Sequence, residues 1–279
     1  MIGNLKTTLT IAVLLLATLA PGLLATANAR DLPKDPLNSV MWQNMAERFF
    51  PGEQVVIDQR VIVDIPIEVE DQMQLPVTVD ATELAEVVEI VALADLNPIP
   101  HILTVRPIKA QPFIGFRVKV EQSTPIRVGV LTSDGVWHVN GVNVNAAGGG
   151  CTAPANAHSN SQWYNTLGQA RAITKRETAS SARLAMRLRH PMDTGLAPGI
   201  PVFYMNKLQV RSADGEALAD LELFEPVSEN PTLTLKPLVG SGETELLVYA
   251  RDTEGNEFEY PLSVPAAVEN PRPYSKMSN

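Results

Sequence analysis

Residues 125–144 read Pro125-Ile-Arg-Val-Gly-Val-Leu-Thr132, then Ser133-Asp134-Gly135, then Val136-Trp-His-Val-Asn-Gly-Val-Asn-Val144. Two runs rich in β-branched residues flank a Ser-Asp-Gly turn. Asp and Gly tolerate the dihedrals a tight hairpin needs, so the stretch predicts two antiparallel strands, Pro125–Thr132 and Val136–Val144. Upstream, the same character recurs in Val61–Glu68, Pro76–Val79, Val87–Ala94, Ile102–Pro107 and Phe113–Val120, with Pro and Gly between them. Seven short strands with no helix between them predict an antiparallel sandwich and not an α/β sheet.

Downstream, a second strand-rich block comprises Arg183–Arg189, Ile200–Ser212, Ala217–Phe224, Thr232–Val239, Glu243–Asp252 and Glu257–Val264. Turns at Asp214-Gly215, Gly240-Ser241-Gly242 and Thr253–Asn256 separate them. The block spans roughly 80–90 residues, the size of an immunoglobulin-like unit. The predicted fold is therefore all-β, with two immunoglobulin-like β-sandwich domains joined by a flexible linker. One short helix precedes them, because Pro36–Phe50 spaces Val40, Met41, Met45, Phe49 and Phe50 helically. Asn38 or Ser39 would cap it and Pro51-Gly52 would stop it. Trp42, Phe49 and Phe50 read as helix-to-core contacts, and Trp137 as a core or edge residue of its strand.

At the N-terminus, Lys6 precedes an apolar run, Leu9–Leu19, followed by Pro21, Gly22 and the small-residue site Ala27-Asn28-Ala29. That order predicts a cleavable secretory signal over 1–29; the run is too short for a membrane anchor. The boundaries that follow are a helical segment at 30–54, a first sandwich at 55–147, an arm and linker at 148–182, a second sandwich at 183–266 and a polar tail at 267–279. Within 152–182 the small polar residues read as linker, and Trp163–Thr178 admits a short helix. The chain carries 22 basic and 31 acidic side chains, a net charge of −9. Only Lys6 lies in 1–29, so removing that segment takes −9 to −10. An acidic surface disfavours nucleic acid and anionic lipid, and 5% aromatic residues leave little for a stacking platform.

The chain has one cysteine, Cys151, preceded by Gly148, Gly149 and Gly150. It cannot form an intramolecular disulfide, and a glycine arm is a poor packing context, so its expected use is chemical. No charged residue falls between Asn145 and Arg171. The thiol is therefore expected near its free pKa of about 8.5. From Val144 the extended arm could carry Cys151 about 23 Å, at ~3.3 Å per residue.

The first block resembles the Y subunit of the SoxYZ sulfur carrier. The resemblance rests on Asp95-Leu-Asn-Pro98, the Ser133–Gly135 hairpin and the terminal Gly-Gly-Gly-Cys151. The second block resembles the Z subunit through His190-Pro-Met-Asp-Thr-Gly195, the Ile200–Tyr204 strand and Glu229-Asn-Pro231. It covers about 55–151 and 183–265. Both in one exported chain are similar to the quinoprotein dehydrogenase-associated SoxYZ-like carrier proteins. The resemblance implies immunoglobulin-like folds, a periplasmic carrier and not an enzyme, covalent attachment at Cys151, and Gly148, Gly149 and Gly150 as the flexible arm. It implies no cofactor and no metal. The implied partners are periplasmic oxidoreductases, either Sox-type enzymes or a quinoprotein alcohol dehydrogenase, and the implied cargo is a sulfur species or a small one-carbon or aldehyde-type adduct. In the separate Y subunit the cysteine sits in Gly-Gly-Cys-Gly-Gly at a free end. Here Thr152-Ala153-Pro154 continues the chain, so the arm is a loop tethered at both ends.

Other readings stand beside this one. Cys151, His158 and Met192 or His190 have the donor types of a copper site, although His158 reads more plainly as a solvated linker residue. A Cys-His dyad would need a fixed geometry that glycines do not supply. His190-Pro191 reads as a turn. Trp163 and Tyr164 would cover the loop or meet a partner. Glu68/Glu70 and Glu257/Glu259 alternate along strands and face solvent. The alternatives to a carrier are a metal-binding or redox accessory protein and a noncatalytic binding partner of a periplasmic dehydrogenase.

Overall fold

The computed structural model describes residues 31–52, 54–66 and 70–266. The expected signal segment and the tail from 267 fall outside the described residues. The first block forms β1 (Val55–Ile57), β2 (Ile62–Asp64), β3 (Leu75–Asp80), β4 (Val87–Ala94), β5 (His101–Arg106), β6 (Ala110–Val118), β7 (Thr124–Thr132) and β8 (Trp137–Val144), after helix α1 (Trp42–Phe49). The second forms β9 (Ala170–Thr178), β10 (Ser181–Leu188), β11 (Asp193–Thr194), β12 (Val202–Phe203), β13 (Met205–Ser212), β14 (Ala217–Leu223), β15 (Thr232–Pro237), β16 (Glu245–Asp252) and β17 (Glu257–Ser263).

The hairpin that began the reading is present. β7 and β8 pair antiparallel from Thr124↔Val144 to Leu131↔Trp137. Thr132 and Val136 close a three-residue loop, Asp134 accepts from the Val136 amide, and Gly135 takes φ +84°. That is the left-handed position a three-residue hairpin loop assigns to glycine.

The all-β sandwich class stands, and the two blocks contribute to the same two sheets. One has nine strands in the order β1-β8-β7-β4-β5-β14-β13-β16-β17, the other six in the order β2-β3-β6-β15-β10-β9. The blocks meet where β5 pairs β14, from Leu103↔Leu223 to Arg106↔Asp220, and where β6 pairs β15 at Gly115↔Thr234 and Ile114↔Leu235. Unpaired strand edges would expose backbone donors and acceptors, and each block covers the other's. Between the sheets runs one apolar core, from Val61 and Ile90 in the first block to Leu208 and Val248 in the second. The described residues from Leu32 onward, up to 266, form one compact unit.

Several expectations need correction. The interval 148–182 is not a featureless arm and linker: it holds 3₁₀ turns at Asn156–Ser159 and Trp163–Thr166 and then β9. Where a helix was admitted, Ala170–Thr178 is an edge strand whose inward positions are Ala170, Ala172, Thr174 and Arg176, too small or polar to give an apolar period. Ile200–Ser212 is interrupted at Tyr204, because Val202-Phe203 pairs with Asp193-Thr194 instead of with the β13 neighbours. The helix is shorter than Pro36–Phe50, and neither Asn38 nor Ser39 caps it. Asp35 instead closes the preceding turn, accepting from the amides of Leu37 and Ser39.

Asp35 is also the anchor of this segment. The Arg127 guanidinium, 1% exposed, donates to both Asp35 oxygens at 3.0 Å and to Asp95, and stacks 4.4 Å over Trp42. With it, α1 lies on the outer face of the nine-stranded sheet. Trp42, Met45, Ala46 and Phe50 pack there on Val91, Leu93, Trp137 and Val139. This second apolar layer explains why β4 and β7 are buried on both faces. Trp42, Phe50 and Trp137 are core residues of that layer. Glu257 and Glu259 face solvent; Glu68 lies outside the described residues.

Two substitutions test this layer by urea unfolding. At Gly129 an added Cβ would sit 2.2 Å from the Phe50 ring, so Gly129→Ala is expected to cost about 1–3 kcal/mol. Arg127→Met leaves two buried carboxylates unpaired and is expected to cost roughly 3–5 kcal/mol.

Candidate functional site

Beyond β6 the chain runs on through Lys119, Val120 and Glu121, braced by Asn97. The Asn97 side chain donates to the Lys119 carbonyl and accepts from the Glu121 amide, each at 2.9 Å. The glycine segment lies along this stretch. Gly149 donates its amide to the Glu121 carbonyl, Gly150 to the Val120 carbonyl, and the Gln72 side chain donates to the Gly148 carbonyl. Gly148 and Gly149 take φ +106° and +89°. Gly150 is required for a different reason: a Cβ there would stand 2.5 Å from the Val120 carbonyl and 2.6 Å from that of Gln72. The three glycines thus shape a tight docked turn, where a mobile arm was expected.

Cys151 is 1% exposed, against the expectation of an exposed thiol, yet it belongs to neither apolar cluster. Its Sγ donates to the Lys119 carbonyl at 3.5 Å. Its amide and that of Thr152 donate to the Glu121 carboxylate at 2.9 and 3.1 Å, and the Thr152 hydroxyl joins them. From the second block, the Thr194 hydroxyl donates to the Cys151 carbonyl at 2.7 Å. Burial pushes the thiol up to about 12; the Lys119 ammonium opposes this and the Glu121 carboxylate adds to it. The expectation of a thiol near 8.5 is therefore corrected, because burial dominates, and the charges that act on it come from Lys119 and Glu121 just past β6 and not from neighbours in sequence.

Lys119 is 4% exposed and its ammonium donates to the Met192 carbonyl. Burial draws it down to about 8, against the pull of Cys151, Asp193 and Glu229. Past the cysteine, the Glu229 carboxylate accepts from the amides of Asn156 and Ala157, and His158 Nε2 lies 2.9 Å from both oxygens of Asp193. Trp163, half-buried, stands by His158 and Phe203 and covers this loop, while Tyr164 is 60% exposed. His190 is buried: its Nδ1 accepts from the Met192 amide, and Nε2 faces Asp252 at 3.7 Å. Burial lowers its pKa to about 4 despite Asp252.

The donors named for copper are thus engaged separately. Among the described residues no group of three His, Cys, Asp or Glu is placed to hold a metal ion. The sequence reading missed Lys119, Glu121, Thr194 and Glu229 as residues of the site. Thr194 and Glu229 sit within the segments His190–Gly195 and Glu229–Pro231 that carried the resemblance. Lys119 and Glu121 have no sequence signal, since a strand end with alternating charges looks solvated.

Residues 46–151 match the family model described as sulfur oxidation protein SoxY, and residues 171–262 match that of sulphur oxidation protein SoxZ. The chain joins a SoxY domain to a SoxZ domain. Cys151 is the last residue of the SoxY match, and Thr194 and Glu229 lie in SoxZ. SoxY and SoxZ domains support a carrier role in sulfur oxidation, working with Sox enzymes, and not a catalytic one. No curated protein matches the chain. A solved glycosyl hydrolase family 2 (GH2) member from Bacteroides cellulosilyticus DSM 14838 aligns at 11% identity over 69% of this chain, with TM-score 0.19. This chain spans 24% of that one, and so slight a likeness carries no argument.

In this docked position the thiol is buried and its ionisation suppressed. At pH 8, alkylation of native Cys151 is expected to run at least about a hundredfold slower than that of a free thiol. Glu121→Ala removes the carboxylate that holds the arm and is expected to speed labelling about tenfold or more. An unchanged rate would show that this carboxylate does not hold the arm.

Proposed function

We propose that this SoxY–SoxZ chain is a periplasmic covalent carrier that holds a sulfur intermediate on Cys151 and presents it to partner enzymes. The observation that carries the reading is the setting of the thiol. It is buried yet part of neither apolar cluster, and its glycines are held by hydrogen bonds to Gln72 and to the Val120–Glu121 stretch past β6. Such a turn can be lifted away without opening the sandwich, because the bonds it gives up can be replaced by water. Once lifted, Cys151 becomes an ordinary thiol, a nucleophile that can accept a group and later yield it.

The docked form has a complementary use. A sulfur adduct hidden against Lys119 and the Thr194 side is kept from solvent thiols and from oxidants between partners. The arm is held at both ends, so a partner must admit a loop and not a free tip. Tethering gives the adduct a high local concentration at a docked partner without tight binding. The partners that this reading favours are Sox-type enzymes. The resemblance to quinoprotein dehydrogenase-associated carriers extends the proposal to a quinoprotein alcohol dehydrogenase system with a one-carbon or aldehyde-type adduct.

Intact-mass spectrometry of the protein purified from its native cells tests the proposal. A discrete mass increment that maps to Cys151 and disappears in Cys151→Ala is expected. A thiol that is unmodified under every growth condition overturns the carrier reading. Retention of the protein's cellular effect in Cys151→Ala would favour a noncatalytic binding partner.

A further inference from the structure

The outward face of the six-stranded sheet carries a second feature that the carrier reading does not use. In register, Thr232 on β15 lies opposite Arg187 on β10, which lies opposite Arg171 on β9. Arg117, near the end of β6, lines the same cleft as Thr232, Arg187 and Arg189. Adjacent strands are about 4.8 Å apart, so Arg171 and Arg187 stand side by side in a basic row, with the short Thr232 next to Arg187. Arg189, just past β10, extends the row sideways. All four arginines are exposed, and none forms an ion pair with a carboxylate among the described residues.

Like charges directly opposite across a ladder destabilise a sheet, and Arg171 and Arg187 are so placed. The chain as a whole is acidic, at −9. Acidic side chains are therefore plentiful, yet none neutralises this row. The one carboxylate nearby, Glu229, is occupied by the amides of Asn156 and Ala157 and by the Asn230 side chain.

The row is not on a flat face. Arg117, Arg187 and Arg189 line a cleft of about 640 Å3, whose far wall is Trp163, Asn156 and Asn160 from the loop after Cys151. A smaller hollow of about 350 Å3 shares Arg187 and Arg189 and adds Arg171. Concavity, an aromatic wall, side-chain amides and convergent guanidinium forks are the elements of a small-ligand site, and 640 Å3 lies in the range such sites occupy. Planar guanidinium groups bind paired oxygens bidentately, which selects carboxylates and tetrahedral oxyanions over halides. We propose that this cleft binds a small anion carrying at least two acidic oxygens, held by Arg117, Arg187 and Arg189. The site goes beyond the carrier reading and needs no thiol.

Isothermal titration of the full chain, with sodium sulfate and separately with sodium succinate at constant ionic strength in chloride, tests it. Saturable one-to-one binding of at least one anion is expected. Sulfate alone would assign a tetrahedral oxyanion site, succinate alone a dicarboxylate site. The double variant Arg187→Gln with Arg189→Gln is expected to weaken binding about tenfold or more, and Arg117→Gln to weaken it by a smaller factor. Lys207→Gln, an exposed cation on the other sheet, is expected to leave it unchanged. Absence of saturable binding of either anion up to about 10 mM, or equal affinity in the double variant, overturns the proposal.

Discussion

The edge pairing of β6 with β15 is the constraint on which the rest of the site depends. It continues past the strand ends, through the Val118↔Val227 bridge, the Lys119 amide to the Pro226 carbonyl and the Ser228 amide to the Arg117 carbonyl. That zipper sets Lys119 and Glu121 of the SoxY half beside Glu229 and Met192 of the SoxZ half. The thiol loop is then secured from both: Glu121 holds its amides, Thr194 its carbonyl and Glu229 its continuation. Each bond is worth only about 1 kcal/mol net, more where a carboxylate accepts, so the loop is held by several modest contacts and no dominant one. The same pairing puts Arg117 on the sheet face that carries Arg187, and so builds the basic cleft.

The chemistry of Cys151 follows from this arrangement by opposing effects. Desolvation favours the neutral thiol and outweighs the nearby Lys119 ammonium, while Glu121 acts in the same direction as burial. A thiol near 12 is ionised only to roughly one part in ten thousand at pH 8. The docked thiol is therefore closed to solvent and almost wholly protonated, which is why the carrier reading requires the loop to move.

The fold was legible where side-chain pattern and backbone chemistry act over short range. The Ser133-Asp134-Gly135 turn, the alternating strands around it and the turn at Asp214-Gly215 needed no distant partner to declare themselves. Strands whose inward residues are small or polar, such as Ala170–Thr178, gave no such period. Three-residue Val55–Ile57 was too short to register; it is placed by its parallel pairing with β8 and by packing under α1.

The sequence by itself determined an all-β chain, a short helix ahead of it and a single thiol behind three glycines. Those follow from local periodicity, turn dihedrals and composition. Tertiary structure alone decided that both blocks share two sheets, because Arg106 and Asp220 pair across more than a hundred residues through backbone groups that every sequence possesses. It alone decided that the glycines dock, that the thiol is hidden and that its proton is held tightly. Those outcomes depend on carbonyls, carboxylates and an ammonium brought in from Lys119, Val120, Glu121 and Thr194, whose nearness to Cys151 only the folded chain creates.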